Sequence, residues 1–394
     1  MNPLPPLSLY VHLPWCVRKC PYCDFNSHAA GNALPRERYL DALLQDLQCE
    51  ARSKKDGDRS IQTVFIGGGT PSLFRGGDIA RLLDGVRQQF RVADDVEVTL
   101  EANPGTTERD NLASYREAGV NRLSLGAQSF NDDALRRLGR IHGRDEIFAA
   151  FDDALAAGFT NINLDLMFAL PEQSTADALD DLAEAVSLSP AHISWYQLTL
   201  EPNTVFFARP PKGLPDDDTA WQMQVEGQAL LAAAGFAQYE ISAYARDGRR
   251  CRHNLNYWQF GDYLAVGAGA HGKYTDDDGR IRRYRKAAHP QSYMQGVGSG
   301  ADDAEALSDA DIAFEYMLNV LRLPGGFSES AFSERTGLPA AVLAGGIDKA
   351  RELGLMRAAE AGQWRPTARG LRFLNDLQGL FLPDGGAKPG AAGR

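Results

Sequence analysis

Short apolar runs alternate with stretches of helical periodicity six times between residues 7 and 198. The runs are Leu7–Leu13, Thr63–Ile66, Val96–Glu101, Arg122–Gly126, Asn161–Asp165 and His192–Leu198. Between them, apolar residues recur at helical spacing near residues 36–52, 79–90, 109–118, 132–138 with 145–157, and 175–188. Strands separated by helices pair in parallel, and the helices cover the outside of the sheet. A full barrel of this kind needs eight strand–helix units. The alternation therefore predicts an α/β fold, a partial (three-quarter) TIM-like (β/α)6 barrel.

The polar residues at the C-terminal ends of the runs sharpen this expectation, because that rim carries the active site in such barrels. They are a cysteine loop after Leu13, the turn Gly67-Gly68-Gly69-Thr70-Pro71, Glu101, Gln128 and Asp165. Three of the five cysteines, Cys16, Cys20 and Cys23, fall within eight residues. Thiolates at this spacing reach three corners of a cubane iron–sulfur cluster and leave one iron open. A zinc site completed by His12 or His28 is the alternative. A disulfide leaves one thiol over. The glycine turn lacks the Lys-Ser/Thr of a phosphate loop and could hold a carboxylate or amine through bare backbone groups. Arg140 could pair with a carboxylate.

The 394 residues divide into expected units. Residues 1–235 form the barrel with its cysteine loop, and 236–305 a barrel-closing extension containing His253-Asn-Leu-Asn-Tyr-Trp258. Residues 306–382 read as helix, two short helices, hairpin and helix, a small winged-helix-like α+β domain, and 383–394 as a disordered Gly/Ala-rich tail. The net charge of −11 argues against nucleic-acid binding. The basic stretch Arg280–Lys286, after Asp276-Asp277-Asp278, reads as a solvated hairpin of mixed charge. No basic leader precedes an apolar run, and no run approaches the roughly 18 apolar residues of a membrane span. A cytoplasmic protein is expected.

Cys16, Cys20 and Cys23 with Tyr22, followed by Gly67–Pro71, resemble the radical S-adenosylmethionine (SAM) superfamily. The order Tyr10, cysteine loop, Gly-Gly-Gly-Thr-Pro, Glu101-Ala-Asn-Pro, Gly126-Ala-Gln128-Ser-Phe and Asp165-Leu-Met … Leu-Pro resembles the oxygen-independent coproporphyrinogen III oxidase family, over about residues 7–380. The resemblance implies that Cys16, Cys20 and Cys23 ligate a [4Fe–4S] cluster whose fourth iron takes S-adenosylmethionine. It implies that Tyr10 and Glu101 help hold that molecule. Tyr22, Gly68, Gly69, Thr70, Gln128, Arg140 and Asp165 fall where the family holds a second one.

One departure separates branches of the family. The oxidases resemble Cys-x-x-x-Cys-x-x-Cys-x-Cys, and here Phe25 stands at the last position. Cys23-Asp-Phe25-Asn-Ser and His253-Asn-Leu-Asn-Tyr-Trp258 are similar to the HemW-type haem chaperones. That likeness implies haem binding and delivery to an acceptor protein in respiratory maturation, with membrane contact only through the acceptor. It puts the oxidase activity second. Among seven histidines, His253 beside the pair Tyr257-Trp258 is the candidate haem ligand, with a structural role as the alternative, and His271 the next candidate.

Overall fold

The computed structural model describes residues 4–31, 34–54, 59–105, 111–298 and 304–383. Six strands come from the alternating region: β1 (Leu7–Leu13), β2 (Ile61–Gly68), β3 (Val92–Ala102), β4 (Arg122–Gln128), β5 (Ile162–Phe168) and β6 (His192–Gln197). They lie side by side in chain order, all parallel. Helices α1 (Arg36–Ser53), α2 (Gly76–Gln89), α3 (Leu112–Ala118), α4 (Asp132–Arg137), α5 (Arg144–Ala156) and α6 (Thr175–Ser187) make the crossovers. The fold class expected from the alternation is the one observed.

Period-two alternation decides the two faces of each strand. On β1, Leu7, Leu9, Val11 and Leu13 are fully buried in the main core, where Leu40, Leu43 and Leu47 of α1 meet Leu82, Leu83 and Val86 of α2. Burying such a side chain contributes about 1.5–3 kcal/mol. The intervening Ser8, Tyr10 and His12 are left for the lumen.

The segment after residue 235 differs from its expectation. Strands β7 (Ala237–Glu240) and β8 (Ala243–Ala245) extend the sheet antiparallel beyond β6. The His-Asn-Leu-Asn-Tyr-Trp stretch forms a short helix, α7 (Arg252–Trp258). Strand β9 (Asp262–Val266) then pairs with the other edge, as a seventh parallel strand beside β1. Strands β10 (His271–Thr275), β11 (Ile281–Arg285) and β12 (Glu305–Ala306) continue outward from it. The segment thus widens both edges of a twelve-stranded sheet, with β7 and β12 as its two ends, and does not join them.

The C-terminal unit spans that gap. Helix α8 (Asp309–Val320) packs Ile312, Tyr316 and Met317 against Phe260 and Ile281. Arg283 of β11 donates to Glu315 of α8 at 2.6 Å, and Arg322, just past α8, donates to Glu240 of β7 at 2.7 Å. One helix and its exit turn therefore tie the two sheet edges together. A short strand, β13 (Phe327–Ser328), leads into helices α9 (Glu329–Thr336) and α10 (Ala344–Glu352). The hairpin β14 (Met356–Glu360) and β15 (Gln363–Pro366) follows, with β13 paired to β15, in the winged-helix-like order expected. The predicted disordered tail lies outside the described residues, apart from Pro383. No helix among the described residues is long and apolar enough to cross a membrane.

Candidate functional site

The cysteine loop leaves β1 and returns beside its own start. Trp15–Cys16 pairs with His28–Ala29, and His28 N–H donates to the Pro14 carbonyl at 2.7 Å. Trp15 anchors this neck, edge-on to Tyr39 with ring centroids 4.6 Å apart. All three thiols are free and half-buried. Burial pushes the Cys16 and Cys23 thiols up, against hydrogen bonds from the neighbouring Thr70 and Ser27. The Arg140 guanidinium stands 3.7 Å from the Cys20 sulfur. Among the described residues, no group of three His, Cys, Asp or Glu side chains is arranged to hold a single metal ion. A cubane needs its thiolates spread around a larger body than one ion.

The glycine turn locks this loop to β2. Gly69 N–H donates to the Leu13 carbonyl at 2.8 Å, and Thr70 N–H to that of Trp15 at 2.7 Å. A Cβ on Gly69 would stand 2.5 Å from the Trp15 carbonyl oxygen, so only glycine permits this approach. Gly68, at φ 122°, turns its N–H to Glu101 Oε2 at 3.0 Å. All three N–H groups are thus committed. Of the turn's backbone groups, only carbonyl oxygens remain for a ligand. They accept from an amine and repel a carboxylate, which removes half of the chemistry expected of this turn.

Tyr10, Glu101, Asp165 and Tyr196 line the lumen below the loop, each half-buried. Burial, then the nearby Asp165 carboxylate, pushes Glu101 up to about 8, against the Gly68 N–H and the Arg122 charge. Glu101 has no ion-pair partner among the described residues. Asp165 is oriented at both oxygens, by Ser124 at 2.8 Å and Asn163 at 2.9 Å. Gln128 ends β4 in the left-handed region, at φ 63°, and its Oε1 is buried without a partner. Arg140 Nε is likewise buried and unpartnered. A cationic head beside Glu101 and polar groups near Gln128 and Arg140 would answer these unmet demands. The donor set fits a thiolate-held cluster carrying an amino acid-like ligand.

Residues 10–185 match the radical SAM superfamily, and residues 307–373 match the HemN C-terminal domain. The heme chaperone HemW of Haemophilus influenzae is 49% identical over 98% of this chain and all of that protein. That of Escherichia coli is 50% identical, over 98% and 100%. The chain belongs to the HemW family. Its fold is also that of coproporphyrinogen III oxidase (HemN) of Escherichia coli, a radical SAM enzyme, with TM-score 0.80 and 25% identity over 96% of this chain and 90% of that one.

Within this HemW-family chain, the expected residues Tyr10, Cys16, Cys20, Cys23, Gly68, Gly69, Thr70, Glu101, Gln128, Arg140 and Asp165 gather at one end of the strands. Tyr22 joins them, its ring 6.4 Å from Phe206, and burial pushes its hydroxyl up. His253 does not. Its Nδ1 meets Thr63 Oγ1 at 2.8 Å, near the opposite ends of the strands, and Phe65 lies against the ring. Thr63 Oγ1 also stands 2.8 Å from Ser8 Oγ, so the imidazole ends a hydrogen-bonded chain beneath the sheet. The ring is 8% exposed and its basicity is pushed down to about 3 by burial, helped by Arg122. His253, the candidate haem ligand, is thus a buried residue away from the cysteine loop, the setting its structural alternative calls for. The sequence also hid several supports. Asn103 links Thr70 to Arg140, His12 receives the Tyr10 hydroxyl and donates to the Asn26 carbonyl, and Asn163 holds Asp165. Alternation along β4 and β5 is the one signal that marks Ser124 and Asn163 as lumen-facing.

Proposed function

We propose that this chain carries haem and hands it to an acceptor protein, keeping a [4Fe–4S] cluster on Cys16, Cys20 and Cys23 with S-adenosylmethionine at the fourth iron. Full-length membership of the HemW family carries this proposal. Three free thiols on the loop after β1 and a half-buried carboxylate without an ion-pair partner among the described residues support the cluster and its ligand. When bound, the cluster and S-adenosylmethionine supply one-electron reductive cleavage of a carbon–sulfur bond.

The protein's own work is to hold and orient. Glu101 takes the ammonium group, and a carboxyl raised to about 8 gives up its proton as that cation arrives. Carbonyl oxygens of Gly68 and Gly69 offer further acceptors to the same amine, that of Thr70 being taken by Leu73 N–H. Asp165, fixed at both oxygens, and Gln128 meet hydroxyl groups of the nucleoside. Arg140 stabilises negative charge on Cys20. Tyr10, held by His12, and Tyr22 close the two sides. The acceptor is a respiratory haem protein reached from the cytoplasm.

A second reading, an oxygen-independent coproporphyrinogen III oxidase, is favoured by the fold shared with that enzyme and opposed by Phe25. Two measurements on reconstituted protein separate them. Haem-loaded protein mixed with an apo-haem protein should lose its Soret absorbance as the acceptor gains it. Incubation with coproporphyrinogen III, reductant and S-adenosylmethionine should yield no vinyl product. Vinyl formation matched by 5′-deoxyadenosine would establish the oxidase instead.

A further inference from the structure

The lumen side of β10 and β11 carries a ladder of basic side chains. Lys273 stands opposite Arg283, and His271 opposite Arg285. Tyr284 and Lys286 alternate to the other face, where they meet Glu50 and Asp46 of α1. The lower rung is neutralised. Lys273 Nζ donates to Asp262 at 2.9 Å, and Arg283 is held by Glu315 and the Tyr263 hydroxyl. The upper rung is not. His271 and Arg285 are both exposed, and neither has an ion-pair partner among the described residues. Burial, then the charges of Arg283 and Arg285, lowers the basicity of His271, and an anion set between His271 and Arg285 would offset that repulsion. An uncompensated pair in a chain of net charge −11 is therefore a place for an anion to bind.

An apolar surface adjoins this rung. Phe25 is 55% exposed and Val17 57%, both on the cysteine loop. Asn26 fixes Phe25 in place, since its Nδ2 donates to the Ala268 and Ala288 carbonyls at 2.9 and 2.8 Å. Those two carbonyls belong to the turns that enter β10 and leave β11. Phe25 is thus pinned beside the strand ends that bear His271 and Arg285. Gly269 keeps the fit, because a Cβ there would stand 2.2 Å from Asn26 Nδ2.

We propose that Phe25, His271 and Arg285 form a docking site for a flat apolar ligand that bears carboxylates. Resting on the carrier reading, this is the place where a tetrapyrrole lays its ring edge on Phe25 and sets a propionate between His271 and Arg285. Arg285 supplies a charge-assisted pair of hydrogen bonds and His271 a third donor. The position that holds an extra cysteine in the oxidases is then the position that recognises the carried ring.

The test titrates reconstituted full-length protein with haem and with haem dimethyl ester, followed by Soret absorbance. The ester keeps the ring and iron but lacks both free carboxylates. Arg285→Gln should weaken haem binding about tenfold and leave ester binding unchanged. Phe25→Ala should weaken both. Melting curves of the variants should match wild type, since these side chains are exposed. Wild-type affinity for haem in both Arg285→Gln and His271→Gln overturns the site, as does equal weakening of haem and ester in Arg285→Gln. If wild type takes up and transfers haem while Arg285→Gln and His271→Gln are both indistinguishable from it, the docking site alone falls. If wild type takes up neither form, the carrier reading falls with it.

Discussion

A carboxylate surrounded by protein without a cation beside it is an unfinished arrangement, and Glu101 is the residue that gives this site its chemical direction. Among the described residues, its hydrogen bond comes from Gly68 N–H. The cysteines are legible because their spacing is a local property of the chain. Cys20→Ala should abolish the broad visible absorption of the reconstituted protein, and retention of about four irons per chain would contradict the ligand assignment. His253 is misplaced by the sequence because its neighbours there say nothing of which end of the strands it reaches. Its burial against Thr63 makes a different outcome expected. His253→Ala should cost about 1–3 kcal/mol in urea unfolding by stranding the Thr63–Ser8 hydrogen-bond chain.

At the scale of elements, α1 is held to the added strands by buried charge. Asp46 and Glu50 on α1 both receive Lys286, and Glu50 also receives Lys54 and the Tyr284 hydroxyl. Tyr293 donates to Asp46 and meets Gly267 N–H, which lies just past β9. This network sits behind the cysteine loop and fixes the turn that Asn26 grips. The basic stretch expected to be solvated is in part this buried joint. Lys286 is 6% exposed, and its partners are supplied from 240 and 236 residues away in sequence. No local pattern could reveal that. Lys286→Ala should destabilise the protein by about 3–5 kcal/mol, because the buried Asp46 carboxylate loses its cation while Glu50 keeps Lys54. Denaturant midpoints measure the loss, and a change below about 1 kcal/mol would show that water replaces the ammonium.

For the whole molecule, stability should depend on keeping interior imidazoles neutral. Burial pushes His12 and His142 down to about 4, His253 to about 3 and His192 well below its ordinary value. The unfolded chain protonates these groups near pH 6.5, so between pH 6.5 and 4 it binds more protons than the native state. Their contribution is complete above pH 6.5 and is lost on acidification, by about 1 kcal/mol per imidazole per pH unit. Glu101, raised to about 8, and Asp181, raised to about 6, act in the opposite sense and blunt the effect. Asp46, raised by burial, joins these carboxylates, and His28 and His271, lowered by burial, join the imidazoles, so six groups against three leave a net loss. The apo-protein should melt at a lower temperature at pH 5 than at pH 7 in calorimetry, and an equal or higher melting point at pH 5 would refute this balance.

The partial barrel, the order of its strands and the three-cysteine loop follow from sequence alone. Apolar period, turn residues and ligand spacing are all expressed within a few residues of one another. The inward set Glu101, Gln128 and Asp165 is legible for the same reason, since parallel strands in chain order carry their C-terminal ends to one rim. What only the tertiary structure decided is how the open side is used. Residues 236–305 look like one module in the chain, yet they divide between the two edges of the sheet, and α8 ties those edges together through Glu315 and the neighbouring Arg322. Pairing of this kind is chosen by which edges remain unsatisfied once the six parallel strands have formed. That choice brings Ala268 and Ala288 to Asn26, across separations of 242 and 262 residues, and sets Phe25 beside His271 and Arg285. Contacts at such distances carry no periodicity, so only the folded chain could disclose them.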